Sequence, residues 1–450
     1  MQWDKLLSTK RYQAEKTTSL FVSGDRSQFQ RDYDRLIFSS PFRRLQNKTQ
    51  VFPLPGNIFV HNRLTHSLEV ASVGRSLGNK ISLLLKSKNI VLENPDLLES
   101  IGTIVSTGCL AHDLGNPPFG HSGEEAISYF FCEGEGLTLK KMLSDKEWND
   151  LSHFEGNANT FRLLTHSFNG RRPGGYTMTF TSLASIVKYP HESSKANLSG
   201  FKYGFFQSEK EVYRKVAEEL GLKKISETPL EYARHPLVYL VEAADDICYQ
   251  IMDIEDAHKL KILSYSETIE LLESFYDKTL DKKDLKIIND TFKIVTDKNE
   301  RIAFLRAGII NKLINACCDE FENNYESIME GSYKGSLIKN LDGKLKEAYR
   351  TCSKVAVERV YYTNSVTQIQ IAGYKILGTL LKEYIDAVLK PETYYARNLL
   401  SVMPTQYQVD ANVSIYTKIQ TVVDYVASMT DSYALNLYKK IKGIDLPEIS

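Results

Sequence analysis

The chain has 450 residues, 42% hydrophobic and 25% charged, an ordinary balance for a globular protein with a large core and, by length, two or three domains. Its 56 Lys and Arg balance its 56 Asp and Glu, so no global basic field marks nucleic acid as the principal partner, though a local patch stays open. The N-terminus MQWDKLLSTKRYQAEK lacks the apolar stretch of a signal peptide, and no apolar run approaches the ~20 residues that span a bilayer. The six cysteines form no CxxC pair and sit mostly in apolar helical context. They read as buried free thiols, and the protein as cytoplasmic with no membrane partner.

In chain order, residues 1–30 are polar and mixed and read as a partly extended arm. Between Arg31 and Gln50, the pattern Tyr33, Ile37, Phe38, then Pro41, then Phe42 and Leu45 predicts short helices. VFPLPGN, 51–57, reads as a turn. Helical periodicity then dominates. It predicts segments near 62–88, 95–113, 122–132, 153–167, 180–188, 208–220, 236–260, 266–276, 283–295, 298–320, 340–356, 365–390 and 414–442. RRPGGYTMT, 171–179, reads as a hairpin or loop; HESSKANLSGFKYG, 191–204, as a mobile loop; DKTLDKKDLK, 277–286, as solvated surface. Few stretches alternate with period two, and no βα repeat with a Gly-rich turn occurs, so the fold class is all-α, mainly helical.

The stretch that concentrates chemistry is CLAHDLGNPPFGHSGEEAI, 109–127. Ile101, Ile104, Val105, Cys109 and Leu110 make an apolar helical face ending in His112–Asp113. Gly115, Pro117, Pro118 and Gly120 break the helix and stiffen a loop, His121 closes it, and Ser122 with Glu125 fits a capping box for the next helix. Imidazole beside carboxylate suits a divalent ion such as Zn, Mn, Fe or Ni, and the carboxylate also suits Mg. Two ligands hold an ion weakly. Further donors stand at His66, early in one amphipathic helix, and at Asp245–Asp246 inside another. Arg63 precedes His66 by almost one turn, and Tyr249 and Asp253 follow Asp245 at i+4 and i+8 on its own face.

The order His, His–Asp, distant Asp resembles the HD phosphohydrolase superfamily. More closely, RRLQNKTQVFPLP, HNRLTHSLEV, HDLGNPPFGHSGEEA, HFEGNANTFRLL, VKYP, EAADDICYQIMDIEDA and DYVASMTDSYA resemble, in order, the blocks of the deoxyguanosine triphosphate triphosphohydrolase family. The resemblance implies metal ligation by His66, His112, Asp113 and Asp245. With these protein ligands, water and substrate need a coordination number above four, which favours Mg, Mn, Fe or Ni. It further implies catalytic roles for His121, Glu124 and His153. Gln50, Val51, Arg63, Lys188, Tyr189, Tyr249 and Asp253 would bind substrate: Arg63 and Lys188 the triphosphate, Tyr249 and Asp253 the sugar, Gln50 the 3′-hydroxyl. The implied reaction is attack of water on the α-phosphorus of a deoxynucleoside triphosphate, releasing deoxynucleoside and inorganic triphosphate.

The matching organisation is an arm and pocket segment over 1–60, an HD core over 61–260, and a helical C-terminal region over 261–450 that completes the pocket. Gln370 stands where the resemblance implies an acidic residue, so the base is left open, with Arg359, Tyr361 and Tyr362 as further pocket candidates. Arg43 and Arg44 read either as helix-end salt bridges or as contacts to a regulatory nucleotide or single-stranded DNA. A homo-oligomer, hexamer or tetramer, is expected by analogy. The alternatives are another HD phosphohydrolase, a nucleotidase or phosphodiesterase, and a non-catalytic protein that binds nucleotides or single-stranded DNA.

Overall fold

Among the residues described by the computed structural model, 1–13, 26–49, 61–198, 202–361 and 364–445, the fold is helical, as the periodicity predicts. The two named strands, Lys224–Glu227 and Leu230–Tyr232, form one antiparallel hairpin too short to show in the sequence pattern. No helix among the described residues is long and apolar enough to cross a membrane.

The helix Ile101–Ala111 is apolar on nearly every side and is therefore the central one. It lies against the helix Arg63–Ser87 almost backbone to backbone. A Cβ at Gly78 would meet the Gly102 Cα at 2.7 Å, so both positions need glycine for this approach. That crossing brings the start of one helix beside the end of the other, where His66 and His112 sit. The helix Arg63–Ser87 begins at a capping box: the Asn62 side chain accepts from Thr65 N at 3.0 Å, and Thr65 Oγ1 accepts from Asn62 N at 3.1 Å. The helix Val238–Lys259, which carries Asp245, completes this layer.

Apolar packing falls into two clusters. The first holds these helices with the helix Lys298–Asn323 and residues up to Val360. The second packs Phe119 and the helix His121–Cys132 on the helices Asn364–Leu389 and Ile415–Ala427. The loop after His112 thus crosses from one cluster to the other. Buried polar groups fasten the crossing. Lys48 Nζ donates to Asn116 O at 2.5 Å and to Ala427 O at 2.9 Å. Asp431 accepts from Thr49 N and Phe119 N, both at 3.0 Å. Phe119 has φ +65°, a conformation that costs a non-glycine residue on the order of 1 kcal/mol and persists because its surroundings hold it.

Several expectations are corrected. The helix after the loop starts at His121, with Gly120 at φ +62° as its N-cap and no side-chain cap, so Ser122 and Glu125 form no capping box. Glycine at the cap lets Gly123 N and Glu124 N bond Gly120 O directly, at 2.9 and 3.1 Å. Glu125 instead accepts from Tyr374 OH at 3.2 Å. Residues 193–198 of the segment read as a mobile loop form a 3-10 helix. The long helix expected over 414–442 is broken after Ala427 and restarts at Asp431. All six cysteines are free; four are buried and Cys132 is exposed.

Candidate active site

Three helices deliver the central groups. A nitrogen of His66, a nitrogen of His112 and an oxygen of Asp245 all lie within 4.8 Å of one another. His66 Nε2 is 3.1 Å and His112 Nε2 3.5 Å from Asp245 Oδ1. The His112 ring is oriented from behind: its Nδ1 donates to Cys109 O at 2.6 Å, which leaves Nε2 facing the cluster. Burial alone would raise the Asp245 carboxyl, but His112, His66 and Lys188 outweigh it and hold its pKa well below the carboxylate range. Asp113 stands 3.5 Å from His112 Nε2 but does not converge with the three. It accepts from Arg63 Nη1 and Asn116 Nδ2, each at 2.5 Å. Burial notwithstanding, Arg63 and His112 bring the Asp113 carboxyl down to about 2.

A cavity of about 290 Å³ opens on this cluster. Arg63, His112, Asp113, His121, Glu124, Lys188, Tyr189, Asp245 and Tyr249 all line it, so most of the expected site residues meet in one place. His121, at the first position of its helix, has a side chain 74% exposed. Its Nδ1 donates to Glu124 Oε2 at 3.0 Å, and that bond raises the His121 pKa. The other Glu124 oxygen accepts from Gly156 N at 3.0 Å, which fixes the carboxylate from behind. Lys188 Nζ lies 3.1 Å from Glu242 Oε1, and Arg234 holds the other Glu242 oxygen at 3.0 Å. Lys188 also sits over the Tyr189 ring, 5.6 Å from its centroid.

Other expected residues fall elsewhere. His153 ends the helix Asp145–Ser152, half-buried, with Nδ1 beside Ser152 Oγ at 3.1 Å and Asn149 O at 3.2 Å, and does not line the cavity. Its neighbour Glu155 does, as N-cap of the helix Gly156–Thr165, and it meets Lys202 at 2.8 Å. Asp253 is also off the lining: it is buried and accepts from Tyr361 OH, and burial pushes its carboxyl up to about 7. Tyr361 stacks obliquely on Tyr249, ring centroids 6.0 Å apart, and so links the two positions. Arg359 is turned outward to Glu267 at 2.6 Å. Arg43 is exposed and Arg44 lines a different cavity. Gln50, Val51 and Tyr362 lie outside the described residues.

Asn116, Glu155, Asn157, Lys202 and Glu242 line the cavity without having been picked out for it, as does Asp246, read only as the neighbour of Asp245 in the donor pair. Glu242 precedes Asp245 by one helical turn, a spacing visible in EAADD. Lys202 lies in a polar stretch with no periodicity and gave no signal.

Comparison with known proteins adds an independent line. A model of the HD domain matches residues 63–257, and a model of a phosphohydrolase-associated domain matches residues 341–440. A deoxyguanosinetriphosphate triphosphohydrolase-like protein of Synechocystis sp. is 37% identical over 461 residues, covering 99% of this chain and 100% of the relative. One of Pseudomonas aeruginosa is 36% identical over 458 residues with the same coverage. A Yersinia enterocolitica protein named deoxyguanosinetriphosphate triphosphohydrolase is 28% identical over 489 residues, covering 93% of this chain and 94% of its own.

Proposed function

This chain belongs to the deoxyguanosinetriphosphate triphosphohydrolase-like family of HD-domain hydrolases, and we propose that it cleaves deoxynucleoside triphosphates to deoxynucleoside and inorganic triphosphate in a metal-dependent reaction. The observation that carries this reading is the convergence of His66, His112 and Asp245, of which His112 and Asp245 line the cavity that also holds the His121–Glu124 pair and Lys188 while His66 is buried behind them.

The donor set fits a divalent ion: two imidazoles and a carboxylate approach one point, and the Cys109 carbonyl fixes the His112 tautomer that points its free nitrogen inward. Asp113 is the fourth ligand in this reading. Bound there, the ion supplies Lewis acidity toward a phosphoryl oxygen and toward water. Arg63 exchanges Asp113 for a substrate phosphate, and Lys188 exchanges Glu242 likewise; the forked guanidinium and the point charge then share the triphosphate.

Chemistry at the α-phosphorus needs a proton for the departing 5′-oxygen. His121 supplies it from Nε2, because Nδ1 is engaged by Glu124. Glu124 raises the ring's pKa and aims it, being itself held by Gly156 N. The oxygen of water joins phosphorus and its proton passes to solvent, the bond from phosphorus to the 5′-oxygen breaks as that oxygen takes the His121 proton, and triphosphate leaves as one piece. Tyr249 packs against the sugar, and Tyr361 with Asp253 backs it. Asp253 acts through Tyr361, as a positioning residue.

Deoxyguanosine triphosphate is the first substrate to test, since the relatives' names carry it. The metal-loaded protein is incubated with each deoxynucleoside triphosphate and with guanosine triphosphate, and products are identified by chromatography and mass, with His112→Ala as blank. Inorganic triphosphate from a deoxy substrate, absent in the blank, is the expected result. Pyrophosphate with a nucleoside monophosphate would overturn the assignment, as would turnover of monophosphates alone.

A further inference from the structure

Lys48 follows the short turn Leu45–Asn47 and is only 3% exposed. Its ammonium meets carbonyls rather than carboxylates: Nζ donates to Asn116 O at 2.5 Å and to Ala427 O at 2.9 Å. Burial, then the charges of Arg44 and Arg63, bring its pKa down to about 7, so a cation is costly to hold here. Each bond ties a different element. Ala427 closes the helix Ile415–Ala427, and its carbonyl is among the last four that a helix leaves without an internal partner. Asn116 lies in the loop after His112–Asp113. The main chain of Lys48 holds a third element, its carbonyl accepting from Arg63 N at 3.4 Å beside the Thr49–Asn62 bridge.

Asn116 passes the contact on. Its Nδ2 donates to Asp113 Oδ1 at 2.5 Å, while Arg63 Nη1 takes the other oxygen, Oδ2, at 2.5 Å. The Asn116 amide has little freedom to turn away. A Cβ on Gly156 would meet its Oδ1 at 2.1 Å, so the amide lies directly on glycine backbone. The residue before it is pinned from the other side: Gly115 N donates to Thr160 Oγ1 at 2.9 Å, and Asn159 Nδ2 donates to Gly115 O at 2.7 Å. With Gly115 fixed and Asn116 O held by Lys48, the amide is aimed at Asp113. One oxygen of that carboxylate is therefore set by a chain of bonds that starts at the Lys48 ammonium.

We propose that Lys48 is a positioning residue of the metal site: through Asn116 it sets the Asp113 carboxylate for the divalent ion, and it makes that setting depend on the docked end of the helix Ile415–Ala427. The inference rests on reading His66, His112, Asp113 and Asp245 as the ligand set. Lys48 does not line the cavity, so it reaches the chemistry only through Asn116. Partners that orient a metal ligand from behind are worth about 10–100-fold in metal affinity or activity. The C-terminal region then bears on the metal site without lending it any of these four donors.

The test is a double-mutant cycle on the full-length protein, Lys48→Met with Asn116→Ala, read by calorimetric titration with Mn²⁺ and by kcat and KM for deoxyguanosine triphosphate. Methionine keeps the length of the buried side chain and removes the donor. Alanine at 116 cuts the link to Asp113 and leaves the carbonyl that Lys48 holds. Each single variant should weaken Mn²⁺ binding by about tenfold or more and lower kcat more than it raises KM. The double variant should bind Mn²⁺ as the weaker single variant does, because both changes break one chain. Leu85→Ala is the control for lost stability alone. Leu85 is fully buried at the other end of the helix Arg63–Ser87 from His66, about 28 Å away at about 1.5 Å per residue. That variant should melt lower and keep its Mn²⁺ affinity and kcat. Should Lys48→Met not fold, Lys48→Gln, with a donor on a shorter arm, takes its place in the cycle. Mn²⁺ affinity within about twofold of wild type in the Lys48 variant, additive losses in the double variant, or an equal loss in Leu85→Ala overturns the proposal. Wild-type protein that binds Mn²⁺ but releases no triphosphate overturns the proposed reaction instead, and the cycle in Mn²⁺ affinity still decides the role of Lys48.

Discussion

Around His66, His112 and Asp245 the flanking cations are matched to carboxylates, whereas around Arg35, Arg44, Arg171 and Arg172 the bonds made are to carbonyls and an amide. In the first cavity Arg63 faces Asp113 at 2.5 Å, Lys202 faces Glu155 at 2.8 Å, His121 faces Glu124 at 3.0 Å and Lys188 faces Glu242 at 3.1 Å. In the second, Arg35 and Arg171 bind backbone oxygens and Gln406. A matched site is stable when empty and admits an anion only by exchange, so its affinity is set by the difference between two pairings. An unmatched site draws an anion outright and responds steeply to salt. The two cavities thus hold similar cations in different settings: paired with carboxylates in one, with no Asp or Glu among the described lining residues in the other.

The comparison breaks first at the metal cluster. His112→Ala should reduce hydrolysis by about 10³-fold or more, because the ion proposed to bind there would contribute several kcal/mol to the transition state. Elemental analysis should find less bound metal. Next is the His121–Glu124 pair: His121→Ala should lower kcat by about 10²–10⁴-fold. Glu124 raises the His121 pKa, so the proton that the proposed mechanism draws from His121 is held above the ordinary histidine range and is lost as pH rises through the raised value. Removing the carboxylate charge with Glu124→Gln lowers that value. The alkaline limb of the kcat profile should therefore move to lower pH, and a limb that stays put would separate Glu124 from proton control.

A smaller effect tests the exchange itself. Glu242→Gln leaves Lys188 and Arg234 without their carboxylate, so the variant should lose about 2 kcal/mol in denaturant unfolding. Its KM should fall, since Lys188 no longer has to be displaced; a raised KM would show that Glu242 positions Lys188 rather than competing for it. Smallest is Arg172→Ala. At an exposed position in an unmatched cluster it should shift stability by no more than about 0.5 kcal/mol, toward stabilisation, measured by thermal unfolding without added anion.

What was legible in the sequence was local. The helical segments follow from periodicity, and the His112–Asp113 pair with its proline-stiffened loop stands in one short run. Once the family pattern located His66 and Asp245, their convergence in the structure followed from the close crossing of glycine-lined helices. Pairings between distant segments were not legible. Lys202 and Glu155 are brought together by packing, and nothing at either position signals the other. His153 and Glu155 are two residues apart, and spacing alone did not tell which of them lines the cavity. The arginine cavity is hidden for the same reason: Arg44 is weighed as a cation, but nothing in the sequence places it beside Arg35 and the RRPGG loop until the fold juxtaposes them. The misplaced capping box shows a local rule overruled by another local fact, the freedom of Gly120 at φ +62°.

The most direct single measurement is hydrolysis of deoxyguanosine triphosphate in water enriched in oxygen-18, followed by mass analysis of both products. Attack at the α-phosphorus, with His121 protonating the departing 5′-oxygen, puts the heavy oxygen in inorganic triphosphate and none in the deoxynucleoside. Heavy oxygen in the 5′-hydroxyl, or pyrophosphate and monophosphate in place of triphosphate, would contradict it.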